Sequence, residues 1–266
     1  MPVTADQSTA LTYSSYLALD EVLAAQRPLT DKHDEVLFII VHQVHELWFK
    51  ELLHELARLQ EELSGGDSVH ALQTLRRALA VLRAVIAQID VIETMTPTQF
   101  AAFRPELGGS SGFQSAQFRE IEAVLGRRDP RTAQTFEEGS PERARIEAAM
   151  SRPSLLDSFL SYLATQGYPV PPDLLGRDVT RPAEPSERLR AVLLTACRDG
   201  GFAARIFEQL LSLDEDVQEW RYRHVKMVER IIGHRSGTGG SSGAPYLYRT
   251  VSAPAFPDLW AVRDGL

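Results

Sequence analysis

For most of its length the chain spaces its apolar residues by alternating threes and fours, and runs of period two are almost absent. From Leu17 to Ile232 this pattern predicts an all-α protein. A first long helix is expected from Asp31 or His33 to Leu63, with Leu37, Ile40, Leu47 and Leu52 among its apolar positions and Ser64, Gly65 and Gly66 as its stop signal. Asp67 can cap the next helix, whose stripe of Leu72, Leu75, Leu79, Leu82, Ile86 and Ile89 has the spacing of a packing seam. Thr96 to Gln99 reads as a capping box with proline at the first helical position, opening a short helix through Phe103.

Glycines 108, 109 and 112 break the pattern, and a helix resumes from Gln114 to Leu125. Residues 127–141 are charged and loop-like, a helix is expected from about Pro153 to Thr165, and the prolines between 169 and 185 imply an extended connection. The last long helix, about Gly201 to Ile232, carries a continuous stripe of Ile206, Leu210, Leu213, Val217, Trp220, His224, Val228 and Ile231, with Arg221 and Arg223 expected on other faces. Gly233 ends it, and a glycine- and serine-rich loop follows at 237–243. With no repeat at solenoid periods, residues 1–266 are expected to form one bundle-like domain.

Composition narrows the setting. A chain of 266 residues can bury a core without disulfides or structural metals. Its one cysteine, Cys197, allows no intrachain bridge and no thiolate zinc site, which fits the reducing cytoplasm. A formal charge of -8 argues against nucleic acid as a partner. No apolar run approaches the ~18 residues of a membrane span, and Met1 to Gln7 lack the features of a signal peptide.

Chemistry is concentrated in two histidines. His224 interrupts an apolar stripe, and periodicity alone leaves it between a buried core residue and a ligand. His42 shares a predicted helix face with Phe38, His45 and Phe49. His42 and His45 are spaced to share a metal, yet no third ligand follows in a zinc-type pattern. No nucleophile elbow or phosphate loop is present. Arg104, beside the first glycine loop, and Thr238, inside the second, could together clamp a carboxylate.

Four blocks carry a resemblance. They are residues 13–20 (YSSYLALD), residues 35–50 (EVLFIIVHQ running into ELWFK), residues 103–115 (FR, then LGGSSGFQS) and residues 220–243 (WRYRH, then RIIG and GTGGSSG). In order and spacing they resemble the tryptophan 2,3-dioxygenases, all-helical haem enzymes that open the indole ring of tryptophan. The likeness runs from about Leu11 to Arg263 and is weakest between Arg127 and Gly200.

The resemblance implies haem b, with His224 as proximal ligand of the iron and His42 as the distal histidine near the indole nitrogen. Phe38, Phe100, Leu107 and Tyr16 correspond to walls around the indole, with Tyr13 nearby, and Arg104 to the clamp on the substrate carboxylate. Thr238 and the Ser111-Gly112 backbone correspond to contacts with the amino-acid and haem-propionate neighbourhood. The implied partners are L-tryptophan or a close indole analogue, O2, and three further copies of the chain in a homotetramer, where residues 1–20 complete a neighbour's site. The implied product is N-formylkynurenine, in the kynurenine pathway of tryptophan catabolism. His45 departs from the small or aromatic residues usual at its position, which leaves room for a branch that inserts one oxygen atom or acts on a substituted tryptophan.

Overall fold

The computed structural model describes residues 11–110, 112–233, 248 and 250–265, and among these residues it is helical with no strand. Two short amino-terminal helices, α1 (Tyr13–Tyr16) and α2 (Leu19–Leu23), lead into the long α3 (His33–Ser64). Then come α4 (Ser68–Ala87), α5 (Ile89–Ile92), α6 (Pro97–Phe103), a 3-10 turn (Arg104–Leu107) and α7 (Ala116–Val124). The second half holds α8 (Pro130–Gln134), α9 (Pro141–Met150), α10 (Leu155–Thr165), α11 (Pro172–Leu175), α12 (Glu187–Asp199), the long α13 (Phe202–Ile232) and α14 (Pro257–Ala261).

The expected start and stop signals operate. Asp67 accepts a hydrogen bond from His70 N at 3.1 Å and so caps α4. Thr96 and Gln99 bond reciprocally at the start of α6. Gly233 ends α13 at φ 64°, a left-handed value that a side chain would strain.

Three helices carry the core: α3 and α13 both pack on α4. On α3 the side chains of Leu52, Leu56, Leu59 and Leu63 are essentially inaccessible, as are Ile206, Leu210, Leu213 and Val217 on α13. Each such burial stabilises the fold by roughly 1.5–3 kcal/mol. The buried face of α4 is wider than the leucine seam predicts, because Ala71, Ala78, Val81 and Val85 are enclosed from both sides. Ile89 lies beyond the break at Gln88, on α5, so the predicted stripe spans two helices.

Two expectations are corrected. Ile40 and Leu47 are exposed on α3, facing away from the core. The charged segment at 127–141 contains α8 and leads directly into α9, whose Ser140 cap and Pro141 start are ordinary helix signals. The carboxyl-terminal segment is pinned to α13 by the buried Asp214, which accepts hydrogen bonds from Ala255 N, Phe256 N and Trp260 Nε1 at 2.9–3.0 Å. Among the described residues no helix is long and apolar enough to cross a membrane.

Candidate functional site

Where α3 and α13 diverge from the core, they enclose a cavity of about 500 Å³, well within the range that holds small molecules and cofactors. Helical spacing decides which side chains reach it. From α3 come Phe38, Val41, His42, His45, Glu46 and Phe49, one face repeating by three and four. From α13 come Trp220, Arg221, His224, Val225, Val228 and Ile231 in the same rhythm. The remaining wall is supplied by α5, α6, the 3-10 turn, α7 and the loop between them, including Phe100, Arg104, Leu107 and Gly112.

His224 stands in the middle of the α13 wall. Its ring stacks on Trp220, with centroids 5.1 Å apart and planes within 5°. Neither ring nitrogen has a hydrogen-bond partner among the described residues. Burial, reinforced by His42, His45 and Arg119, pushes its pKa down to about 4, so the ring is neutral at pH 7 and keeps a lone pair.

His42 faces the same space from α3. Its Nδ1–H donates to Phe38 O at 2.7 Å. A carbonyl only accepts, so this bond fixes the tautomer and leaves Nε2 as a bare acceptor. A Cβ built on Gly112 would lie 3.9 Å from that Nε2, which locates the glycine loop directly against it. Burial also lowers the pKa of His42. His45 repeats the arrangement one turn on, donating from Nδ1 to Val41 O at 2.7 Å, and its pKa is lowered by burial as well.

An aromatic group lies beside His42. The Phe38 ring is 4.2 Å from the His42 ring and 5.7 Å from that of Phe100, with Phe103 behind both. Arg104 and Leu107 sit at the two ends of the 3-10 turn that follows α6.

The opposite end of the cavity is charged. Glu122 of α7, 3% exposed, bonds Arg119 at 2.7 Å, Arg221 at 2.9 Å and Arg127 at 3.0 Å. Burial opposes ionisation of Glu122, but the three guanidinium groups outweigh it and its pKa falls. Arg221, expected on a different face from His224, is buried and lines the cavity with it. Its Nη2 is drawn inward by Glu122, which lies 99 positions away in sequence, and its Nη1 by the carbonyls of Thr250 and Ala253. No local pattern announces that pairing, so Arg119 and Glu122 have no place in the sequence reading and Arg221 is assigned there to another face.

Of the candidate residues, His42, Phe38, Phe100, Arg104, Leu107, Gly112 and His224 all meet at this cavity. Tyr13 and Tyr16 lie on α1, 75% and 72% exposed, and are not among the cavity residues of their own chain. Thr238 and Ser111 lie outside the described residues. Among the described residues no group of three His, Cys, Asp or Glu side chains could hold a bare metal ion.

Comparison with known proteins fits this arrangement. The family model described as tryptophan 2,3-dioxygenase matches residues 2–167 and 190–266. The chain is 60% identical over 259 residues to the tryptophan 2,3-dioxygenase of Anaeromyxobacter sp. strain K, covering 97% of each. It is 52% identical to that of Herpetosiphon aurantiacus, covering 97% of this chain and 100% of the relative. With that of Caulobacter vibrioides the identity is 42%, covering 96% and 98%.

The chain belongs to the tryptophan 2,3-dioxygenase family. It is therefore an enzyme of this type, and the cavity holding His42, Arg104 and His224 is the candidate active site. The segment unmatched by the family model, 168–189, contains the short α11 and the first residues of α12 and lies outside the cavity wall.

Proposed function

We propose that the protein uses haem b and O2 to cleave the C2–C3 bond of the indole of L-tryptophan, giving N-formylkynurenine. The observation that carries this reading is His224: an enclosed, neutral imidazole with no hydrogen-bond partner among the described residues, on the wall of a largely apolar cavity. A single nitrogen ligand suits an iron already held by four nitrogens of a macrocycle, and the absence of a three-ligand group among the described residues argues against a bare ion. When bound, the haem supplies the activation of O2 that no side chain provides.

The protein's own groups orient the substrate and exclude water. Phe38, Phe100 and Leu107 form an apolar seat for the indole. His42, held in one tautomer by Phe38 O, offers Nε2 to the indole N–H. Arg104 matches the substrate carboxylate with its planar fork. Thr238, Ser111 and Gly112 are assigned to the amino-acid and propionate neighbourhood on family likeness, as are Tyr13 and Tyr16 to the indole pocket of a neighbouring subunit.

A homotetramer is supported by the amino-terminal apolar surface: Leu11, Tyr13, Tyr16 and Leu23 are each more than two-thirds exposed in one chain. Residues 1–266 are read as one haem-binding domain, since one core cluster runs from Phe49 to Val262. A cytoplasmic setting rests on the lone Cys197.

The test is spectroscopic. Full-length protein supplemented with haem is expected to show the absorption of a histidine-ligated haem. His224→Gly is expected to lose it and to recover it with added imidazole. Unchanged spectra in His224→Gly would remove the basis of the reading.

A further inference from the structure

The first turn of α7 reaches both long helices of the site. Gln117 turns to α3, where its Nε2 donates one hydrogen bond to Glu46 O and one to Glu46 Oε2, each 2.8 Å long. Both protons of the amide are thereby used. Phe118, the next residue, turns to α13: its ring lies 4.4 Å from that of Trp220, the indole stacked on His224. Phe49 of α3 completes the group, 5.5 Å from Phe118 and 6.0 Å from Trp220. The start of α7 is therefore a spacer between the wall that carries His42 and the wall that carries His224.

Aromatic packing lets such a spacer slide, whereas two directional bonds from one amide fix both its distance and its angle. Glu46 O belongs to the backbone of α3 one turn beyond His42, so Gln117 grips the helix itself as well as a side chain. The Glu46 carboxylate is near enough to His42 and His45 for its charge to favour the protonated form of each, against the effect of burial. Just ahead of Gln117, Ser115 caps α7 by accepting from Phe118 N at 3.2 Å, and Gly112 lies against His42 Nε2.

The same tether stands at a boundary. Glu46, Gln114 and Ser115 line the cavity on one side and, on the other, an outer pocket of about 480 Å³ that Gln117 helps to form. Its rim residues Lys50, Glu142 and Arg145 are exposed, so this outer pocket is open to water.

We infer that Gln117 is a positioning residue for the reaction: by holding Glu46 it sets the separation of the His42 and His224 walls and keeps the cavity apart from the outer pocket. Gln117 does not line the cavity, so it acts on the substrate only through α3 and α7. The inference rests on the reading of the cavity as the tryptophan site given above, in which neither Gln117 nor Glu46 has a task.

A wider cavity admits the extra methyl group of 1-methyltryptophan more readily. The ratio of kcat/KM for tryptophan to that for 1-methyltryptophan therefore reads the separation of the walls. In Gln117→Ala this ratio is expected to fall about 5-fold or more, and amide hydrogen exchange over residues 112–118 to quicken about 10-fold or more. Gln117→Glu sets carboxylate against carboxylate and is expected to do the same. Adding Glu46→Gln to it returns a donor to the pair and is expected to move both readings back towards wild type. Asp157→Asn, which weakens the fold away from the site, is expected to change neither. A wild-type ratio or wild-type exchange in Gln117→Ala overturns the inference, as does a double variant no better than Gln117→Glu alone. Wild type that turns over neither substrate overturns the reading of the cavity instead, and the exchange rates then decide the tether by themselves.

Discussion

Trp220 and His224 stack face to face one turn apart on α13, their planes within 5° of parallel. The indole braces the imidazole where no hydrogen bond does so among the described residues, and it belongs to the same aromatic group as Phe118 and Phe49. A ligand held by packing alone depends on the shape of its pocket. Trp220→Ala is therefore expected to keep haem but to lose it at least about 10-fold faster, read by transfer to a scavenging globin. An unchanged rate would show that stacking has no part in fixing the ring.

Arg104→Ala is expected to act on binding. A charge-assisted bond contributes about 1.5–3 kcal/mol, so kcat/KM for tryptophan should fall roughly 10- to 100-fold, with most of the loss in KM. Steady-state kinetics decide it, and an unchanged KM would contradict the assignment of Arg104 to the substrate carboxylate.

His42 has its proton on Nδ1 and its acceptor on Nε2. If that acceptor reads the indole N–H, wild type should discriminate against 1-methyltryptophan, which lacks it, and His42→Ala should lose much of that discrimination. The ratio of kcat/KM for the two substrates measures it. The same ratio in both proteins would assign His42 another task.

Asp157 gives a stability prediction away from the site. Its carboxylate receives Arg177 Nε at 2.6 Å and Arg177 Nη2 at 2.7 Å, and it caps α10 through Ser154. Burial raises its pKa, but hydrogen bonds from Arg177 and Ser154 outweigh this and leave it below the ordinary 3.8. Folding therefore favours the ionised form, so its stabilisation is complete above about pH 3.8 and is lost as pH falls through the lower folded value. Asp157→Asn should cost about 3 kcal/mol at pH 7 by denaturant titration, and this difference should shrink in strong acid. A cost independent of pH would contradict the ion-pair account.

The long helices were legible because a period of three to four runs unbroken through Leu52 to Leu63 and Ile206 to Val217, where one face is wholly buried. His224 was legible as an anomaly in that period, and only the four motif blocks favoured its reading as a ligand. The charged end of the cavity was not legible. Arg221 belongs by spacing to the face of His224, yet arginine ordinarily marks solvent, and the carboxylate that draws it inward lies on α7. The helix α9 was missed because its residues are mostly charged or small, with Ile146 its one large buried aliphatic.

The central claim is most directly tested by mass spectrometry of the product formed from L-tryptophan under ¹⁸O₂ by reduced, haem-loaded enzyme. The account predicts N-formylkynurenine carrying both labelled atoms of one oxygen molecule. A product carrying a single labelled atom with the indole ring intact, or no product from protein that binds haem through His224, would contradict it.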